Sequence, residues 1–195
     1  MAGANRPRFV PVSTYRLQVH GGFRLTAAAE VVPYLDDLGV AACYTSPYFT
    51  AAAGSTHGYD VCNHNEINPE LGGDAAHRHF VEAIARHGLG HIVDFVPNHM
   101  GIGAGGNAWW RDVLENGPSS PTAKFFDIEW APIKAELFAK LLLPILGDQY
   151  GQVLERGELR LEFRDGALAL RYFEHDLPVN PRQAPRVYRR AVDPL

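Results

Sequence analysis

The sequence of 195 residues predicts an α/β protein built on a parallel sheet, followed by a second, α+β unit. Three observations carry this. Up to Met100, short apolar runs of strand length alternate with stretches of helical periodicity. Glycine or proline closes these segments. After Met100 the alternation gives way to a glycine-rich run, recurrent proline and a single two-strand pattern.

The elements follow in order. Ser13 to Val19 (STYRLQV) alternates polar and apolar residues and suits a strand. Thr26 is placed to cap a helix through Leu38, with Val31, Leu35 and Leu38 on its apolar side and Gly39 as its stop. Pro33 disturbs that helix or marks a late start. Val40 to Thr45 is a second apolar run, ended by Ser46 and Pro47. Asp74 is placed to cap a helix through His87, with Phe80, Val81, Ile84 and Ala85 facing inward and Gly88 after it. His91 to Val96 reads as a third strand. This βαβαβ order predicts parallel pairing through right-handed crossovers. A long loop, Phe49 to Gly73, precedes the second helix, and loops of that length in compact domains usually carry function. The first unit is assigned to residues 1–100 and the second to 101–195. In the second, Asn107 to Leu114 suits a short helix. Glu158 to Phe173 suits a hairpin turning at Arg164-Asp165-Gly166.

Composition narrows the function. A net charge of -4 argues against a nucleic-acid partner, which needs concentrated basic surface. The arginines after Val153 alternate with acids and read as a solvated face. Cys43 and Cys62 form no CxxC pair, which fits a reducing compartment. The N-terminal MAGANRPRFV does not resemble a signal peptide, and no segment approaches a membrane span. No Asn-x-Ser/Thr acceptor occurs. These features together predict a cytoplasmic protein with no membrane partner.

Two stretches carry candidate chemistry. In HIVDFVPNHM (91–100), an acid sits inside an apolar run, and desolvating an unpaired carboxylate is costly. Asp94 therefore has a structural partner, such as an arginine, or a task. Strand alternation puts Ile92, Asp94 and Val96 on one face and Val93 and Phe95 on the other, against helices. Asn98 and His99 arrive where the strand stops, the place where α/β enzymes put their polar chemistry. In GSTHGYD (54–60), hydroxyls, an imidazole, a phenol and a carboxylate lie between glycines. Such a set suits a sugar, which offers apolar ring faces and many hydroxyls; an ordinary polar turn is the alternative.

Other motifs are set aside. Gly101 to Gly106 spells GxGxxG, but Pro97 to Met100 intervene, so no tight strand-to-helix turn for a pyrophosphate forms there. It reads as a flexible loop. His57, His64, His77, His79 and His87 match no zinc spacing, so no metal ligand is assigned. Trp109, Trp110 and Trp130, with Phe125 and Phe126, read as core packing, with sugar stacking as the alternative.

At this point the sequence resembles the α-amylase clan of glycoside hydrolases and, within it, the maltooligosyl trehalose synthases. STYRLQ, VVPYLDDLGV, SPYFTAAAGSTHGYDVCNHNEINPELGG, GLGHIVDFVPNHM, NAWWRDVLENGPSS, KFFDIEW, KLLLPILGDQYGQVLERGEL and RYFEHDLP carry the resemblance over nearly the whole chain. DxxxNH belongs to the wider clan; GSTHGYD and LGDQYGQVLERGEL are specific to the synthases.

The resemblance implies the first three βα units of a (β/α)8 barrel, incomplete, with an α+β subdomain inserted after strand 3. It implies conversion of the reducing-end α-1,4 linkage of a maltooligosaccharide to an α,α-1,1 linkage, without a cofactor. His57, Tyr59, Asp60, Asp94, Asn98 and His99 would bind or shape one glucose subsite. Tyr59 would stack on the sugar and His99 would hydrogen-bond to it. The nucleophile and general acid/base would lie outside this chain, since no fourth-strand Arg-x-Asp follows the inserted unit. The isolated chain would then be inactive. The partners implied are the maltooligosaccharide and, functionally, a trehalose-releasing hydrolase. An amylase-type hydrolase and a non-catalytic α-glucan-binding fragment are the rival readings.

Overall fold

The computed structural model describes residues 10–103, 106–164 and 166–192. The sequence readings that fall on residues 1–9, on Ala104 and Gly105 of the glycine run, and on Asp165 of the hairpin turn lie outside the described residues. The chain divides into two compact units after Gly101.

The first unit runs β1 (Thr14–Leu17), α1 (Leu25–Asp37), β2 (Ala42–Thr45), β3 (Phe49–Ala51), β4 (Val61–Ile67), α2 (Gly73–Arg86) and β5 (Gly90–Val93). β1, β2 and β5 form a parallel sheet in that order. Its register puts Arg16 beside Tyr44 and Tyr44 beside Ile92. These three side chains therefore share one sheet face, and Leu17, Cys43, Thr45, His91 and Val93 share the other. The second face meets α1 and α2. The core there is Leu17, Val19, Leu25, Val32, Leu35, Cys43, Phe80 and Ile84, with small Ala28, Ala29, Ala76 and Ala83 letting the helices approach.

Both helices end alike. Gly39 N–H bonds to Asp36 O and Val40 N–H to Leu35 O, while Gly88 N–H bonds to Ala85 O and Leu89 N–H to Ile84 O. These paired bonds satisfy the last carbonyls and turn the chain into the next strand.

Several sequence readings are corrected in detail. α1 begins at Leu25, ahead of Thr26, and Arg24 makes no side-chain cap. Val32 and Leu35 are buried, while Leu38 lies beyond the last turn and is 54% exposed. Pro33 sits inside the helix on its exposed side, where its ring meets solvent rather than the core. α2 begins at Gly73, so Asp74 lies in its first turn, where a carboxylate favours the helix dipole. Its inner face is Ala76, Phe80, Ala83 and Ile84; Val81 and Ala85 face out.

The third strand is shorter than its apolar run and stops at Val93. Asp94 N–H still bonds to Thr45 O at 3.1 Å. Beyond Ser46, Pro47 has no N–H with which to extend the ladder. Alternation then fails: Val96 is buried, whereas Phe95 is 54% exposed and packs its ring on Phe49 and His64 instead of on helices. The long loop also contains structure, the antiparallel pair β3 and β4.

The second unit runs α3 (Ala108–Asn116), α4 (Tyr150–Glu155), β6 (Leu159–Arg164), β7 (Ala167–Tyr172), β8 (His175–Pro178) and α5 (Ala184–Val192). Asn107 caps α3 by accepting from Trp110 N–H at 3.0 Å. The sheet is antiparallel in the order β6-β7-β8, so the expected hairpin acquires a third strand. Arg111 ties α3 to β8 through Asp176 at 3.1 Å. Trp109 stacks on Phe125 and Trp110 packs on Phe126, but Phe125 is 54% exposed, so these pairs lie at the surface of the unit and not in a closed core. Among the described residues no helix is long and apolar enough to cross a membrane.

Two expectations follow. Phe80 is fully buried, with its ring edge-on to His91. Phe80→Ala should cost about 3–5 kcal/mol in urea unfolding followed by circular dichroism. Burial, with His77 nearby, holds the His91 imidazole below its ordinary 6.5. The unfolded chain then binds the extra proton first, so stability should be full above that value and fall as pH drops below it. Urea midpoints measured from pH 7.5 to 5 should show this slope, reduced in His91→Phe.

Candidate functional site

The site assembles at the carboxyl end of the parallel sheet. Asp94 leaves β5 on the face opposite the helices, two residues beyond Ile92 and on its side. Its Oδ2 accepts from three groups: Tyr59 Oη at 2.5 Å, Tyr44 Oη at 3.0 Å and Arg16 Nη1 at 3.4 Å. Arg16 Nη2 also donates to Tyr59 Oη at 2.9 Å, and its guanidinium lies 4.9 Å from the Tyr44 ring centroid. The Tyr59 phenol is thus donor to one partner and acceptor from another.

The electrostatics follow. The bond from Tyr59, then those from Tyr44 and Arg16, hold the Asp94 carboxyl below its ordinary value. The same Tyr59–Asp94 bond pushes the phenol up. Asp94 is therefore a fixed negative charge at neutral pH, balanced by Arg16.

The GSTHGYD loop connects β3 to β4 and delivers Tyr59. Ser55 Oγ donates to Asp60 Oδ1 at 2.6 Å and accepts from Gly58 N–H at 3.1 Å. His57 Nδ1 accepts from Tyr59 N–H at 3.0 Å, and the two rings stack with centroids 6.0 Å apart. Gly58 has φ +75°, and a Cβ there would stand 2.5 Å from Pro47 O, so only glycine fits. Gly101 N–H bonds to Val61 O at 2.8 Å, and a Cβ on Gly101 would stand 2.6 Å from Asp60 O.

Each expected residue can now be located. His57, Tyr59 and Asp60 lie in one braced loop, and Tyr59 meets Asp94 directly. His99 reaches the same loop, its Nε2 donating to Tyr59 O at 3.0 Å. Asn98 is exposed and joins none of these hydrogen bonds among the described residues. Sequence reasoning missed Arg16, Gln18 and Tyr44. Their signal lies in parity: Arg16 and Gln18 are the polar positions of STYRLQV, and Tyr44 holds the matching place in the next strand. Among the described residues no group of three or more His, Cys, Asp or Glu side chains is arranged to hold a metal.

The model of the α-amylase catalytic domain matches residues 24–150, more than half of the chain. The chain belongs to this family, whose members are TIM-barrel enzymes. Within it, similarity runs to one particular group. A putative maltooligosyl trehalose synthase of Mycobacterium tuberculosis is 42% identical over 174 residues, covering 82% of this chain and 22% of the relative. The solved maltooligosyltrehalose synthase from Arthrobacter ramosus is 40% identical with a TM-score of 0.76, covering 88% of this chain and 21% of that one. A hypothetical maltooligosyl trehalose synthase of Sulfolobus tokodaii is 32% identical with a TM-score of 0.76, over 92% of this chain and 23% of that one. The chain therefore spans roughly a fifth of the length of these relatives.

Tyr59→Phe keeps the ring and removes the hydroxyl. The Asp94 carboxyl should then titrate closer to its ordinary value by carbon-detected NMR. Because the folded value is depressed, Asp94 contributes stability above the ordinary 3.8, lost as pH falls through the lower folded value. Solvent screens a half-exposed network, so the loss at pH 7 should be about 1 kcal/mol.

Proposed function

We propose that this chain is the N-terminal part of an enzyme that converts the reducing-end α-1,4 linkage of a maltooligosaccharide into an α,α-1,1 linkage by intramolecular transglycosylation. The chain would thus serve trehalose formation. On this reading β1, β2 and β5 are the first three strands of a (β/α)8 barrel, and the second unit is a subdomain inserted after the third. The reading rests on the synthase relatives and, in the site itself, on one observation: Tyr59 is held by its hydroxyl between Asp94 and Arg16.

The chemistry of that arrangement supports binding rather than bond breaking. A phenol tied at its oxygen presents a ring at a set angle, and an aromatic face suits the apolar side of a glucose unit. The loop supplies His57 and Asp60 as hydrogen-bond partners for sugar hydroxyls, and the end of the strand supplies Asn98 and His99 for the same purpose. Asp94 spends Oδ2 on three donors and stays ionised. It cannot donate a proton at neutral pH, so it is not the general acid.

A retaining reaction needs a carboxylate nucleophile and a carboxylic acid about 5–5.5 Å apart. We assign both to residues outside this stretch, along with the rest of the barrel. The product would pass to a hydrolase that releases trehalose. A place in the cytoplasm accords with the sequence, in which Cys43 and Cys62 form no CxxC pair.

Product analysis tests the reading. The complete enzyme incubated with maltopentaose should yield a non-reducing, trehalose-ended chain; free glucose or maltose as the main products would instead identify an amylase-type hydrolase. The 195-residue chain alone should form neither product. Trehalose-ended product from it would overturn the assignment of the carboxylates. Tyr59→Ala in the complete enzyme should weaken maltopentaose binding by about 1–3 kcal/mol through loss of the stacking face.

A further inference from the structure

The first strand and the segment just after it carry two polar side chains toward the site, at alternate positions. Arg16 Nη2 donates to Tyr59 Oη at 2.9 Å and to Gln18 Oε1 at 3.2 Å. Gln18 Nε2 in turn donates to the backbone carbonyls of Thr56 at 3.2 Å and His57 at 3.4 Å. The two side chains are thus joined to each other, one gripping the tip of the Tyr59 ring and the other the backbone that leads to it.

Tyr59 Oη also holds Asp94 at 2.5 Å, and Gly54 N–H bonds to the Glu70 carboxylate at 3.1 and 3.2 Å; the remaining restraints are internal to the loop. Ser55, Gly58 and Asp60 bond among themselves, and His57 bonds to Tyr59 N–H. They set the shape of the turn without anchoring it to the sheet. Pro47 limits how close Gly58 can come but offers no hydrogen bond there. His99 Nε2 donates to the Tyr59 carbonyl at 3.0 Å. Arg16 and Gln18 are the connection from this loop to β1, which is itself held in register against β2.

We propose that Arg16 on β1 and Gln18 just beyond it are positioning residues, a coupled pair that holds the Tyr59 ring and the Thr56–His57 backbone at the angle a glucose unit stacks against. The proposal rests on the glucan reading for its ligand, but not for its geometry. Gln18 contributes two things at once: an amide oxygen that receives the Arg16 fork, and an amide N–H pair that reaches the loop carbonyls. Arg16 is suited to the role because its planar fork addresses Asp94, Tyr59 and Gln18 together, which an ammonium cannot do.

The chemistry selects the variants. Gln18→Glu keeps the acceptor for Arg16 and the shape, but replaces the donor to Thr56 and His57 with a carboxylate. Gln18→Met removes both. Gln18 lies on an exposed face, so neither change disturbs the core. In the 195-residue chain, amide NMR signals of Thr56, His57 and Tyr59 should move and broaden in both variants, while core signals such as Phe80 stay in place. In the complete enzyme, KM for maltopentaose should rise about five- to tenfold with kcat changed less than twofold, consistent with the loss of one or two hydrogen bonds that act through binding. Arg16→Lys should add a rise in the Asp94 titration that the Gln18 variants do not show.

Unmoved loop amides in both Gln18 variants overturn the proposal, as does an unchanged KM. A Gln18→Glu variant that behaves as wild type while Gln18→Met does not also overturns it, because the bond to Arg16 would then carry the effect and donation to the loop carbonyls none. If the loop amides move but the complete enzyme ignores maltopentaose, the glucan reading fails and the positioning pair stands.

Discussion

One carboxylate organises the site end of the sheet. Asp94 follows an apolar strand, and a charge in that position must be solvated by the protein or removed. Three donors from three segments supply the solvation: Arg16 from β1, Tyr44 from β2 and Tyr59 from the loop between β3 and β4. The requirement of a single acid therefore ties the loop to two strands, β1 and β2, that their own backbone ladder holds together. It also settles the state of the acid: three donors keep it ionised, and Arg16 balances its charge.

The sheet can support this because its two faces are separated by parity. Along β1 and the two residues after it, odd positions, Leu17 and Val19, reach the core under α1 and α2, and even positions, Arg16 and Gln18, reach the site. Parallel register repeats the division across β2 and β5. A slip of one residue would carry Arg16 into the apolar core and leave Asp94 without its cation. The packing of Phe80, Leu35 and Val32 and the geometry of the site are thus two consequences of one register.

The candidate site was legible in part. Asp94 stood out because an acid interrupted an apolar run, and GSTHGYD stood out by its density of polar groups between glycines. Arg16 and Tyr44 did not, because an arginine and a tyrosine in an alternating strand look like ordinary solvent-facing residues. β4 was missed for a related reason. Its centre, Asn63-His64-Asn65-Glu66, has no strand propensity, and pairing with β3 and a hydrogen bond from His64 to Val96 O hold it extended. The early end of β5 was equally hidden, since it depends on Pro47 just beyond the neighbouring strand.

By itself, the sequence determined the alternation of strands and helices, the stops at Gly39 and Gly88, and the membership that its motifs announce. Periodicity, capping and short motifs are local, and local patterns can be read along one dimension. The tertiary structure alone decided which face each strand turns to the core, where β5 stops, that the long loop folds into a hairpin, and which donors surround Asp94. Those depend on neighbours brought together from positions as far apart as Arg16 and Asp94. No local pattern records a pairing at that separation, because the register of the sheet creates it.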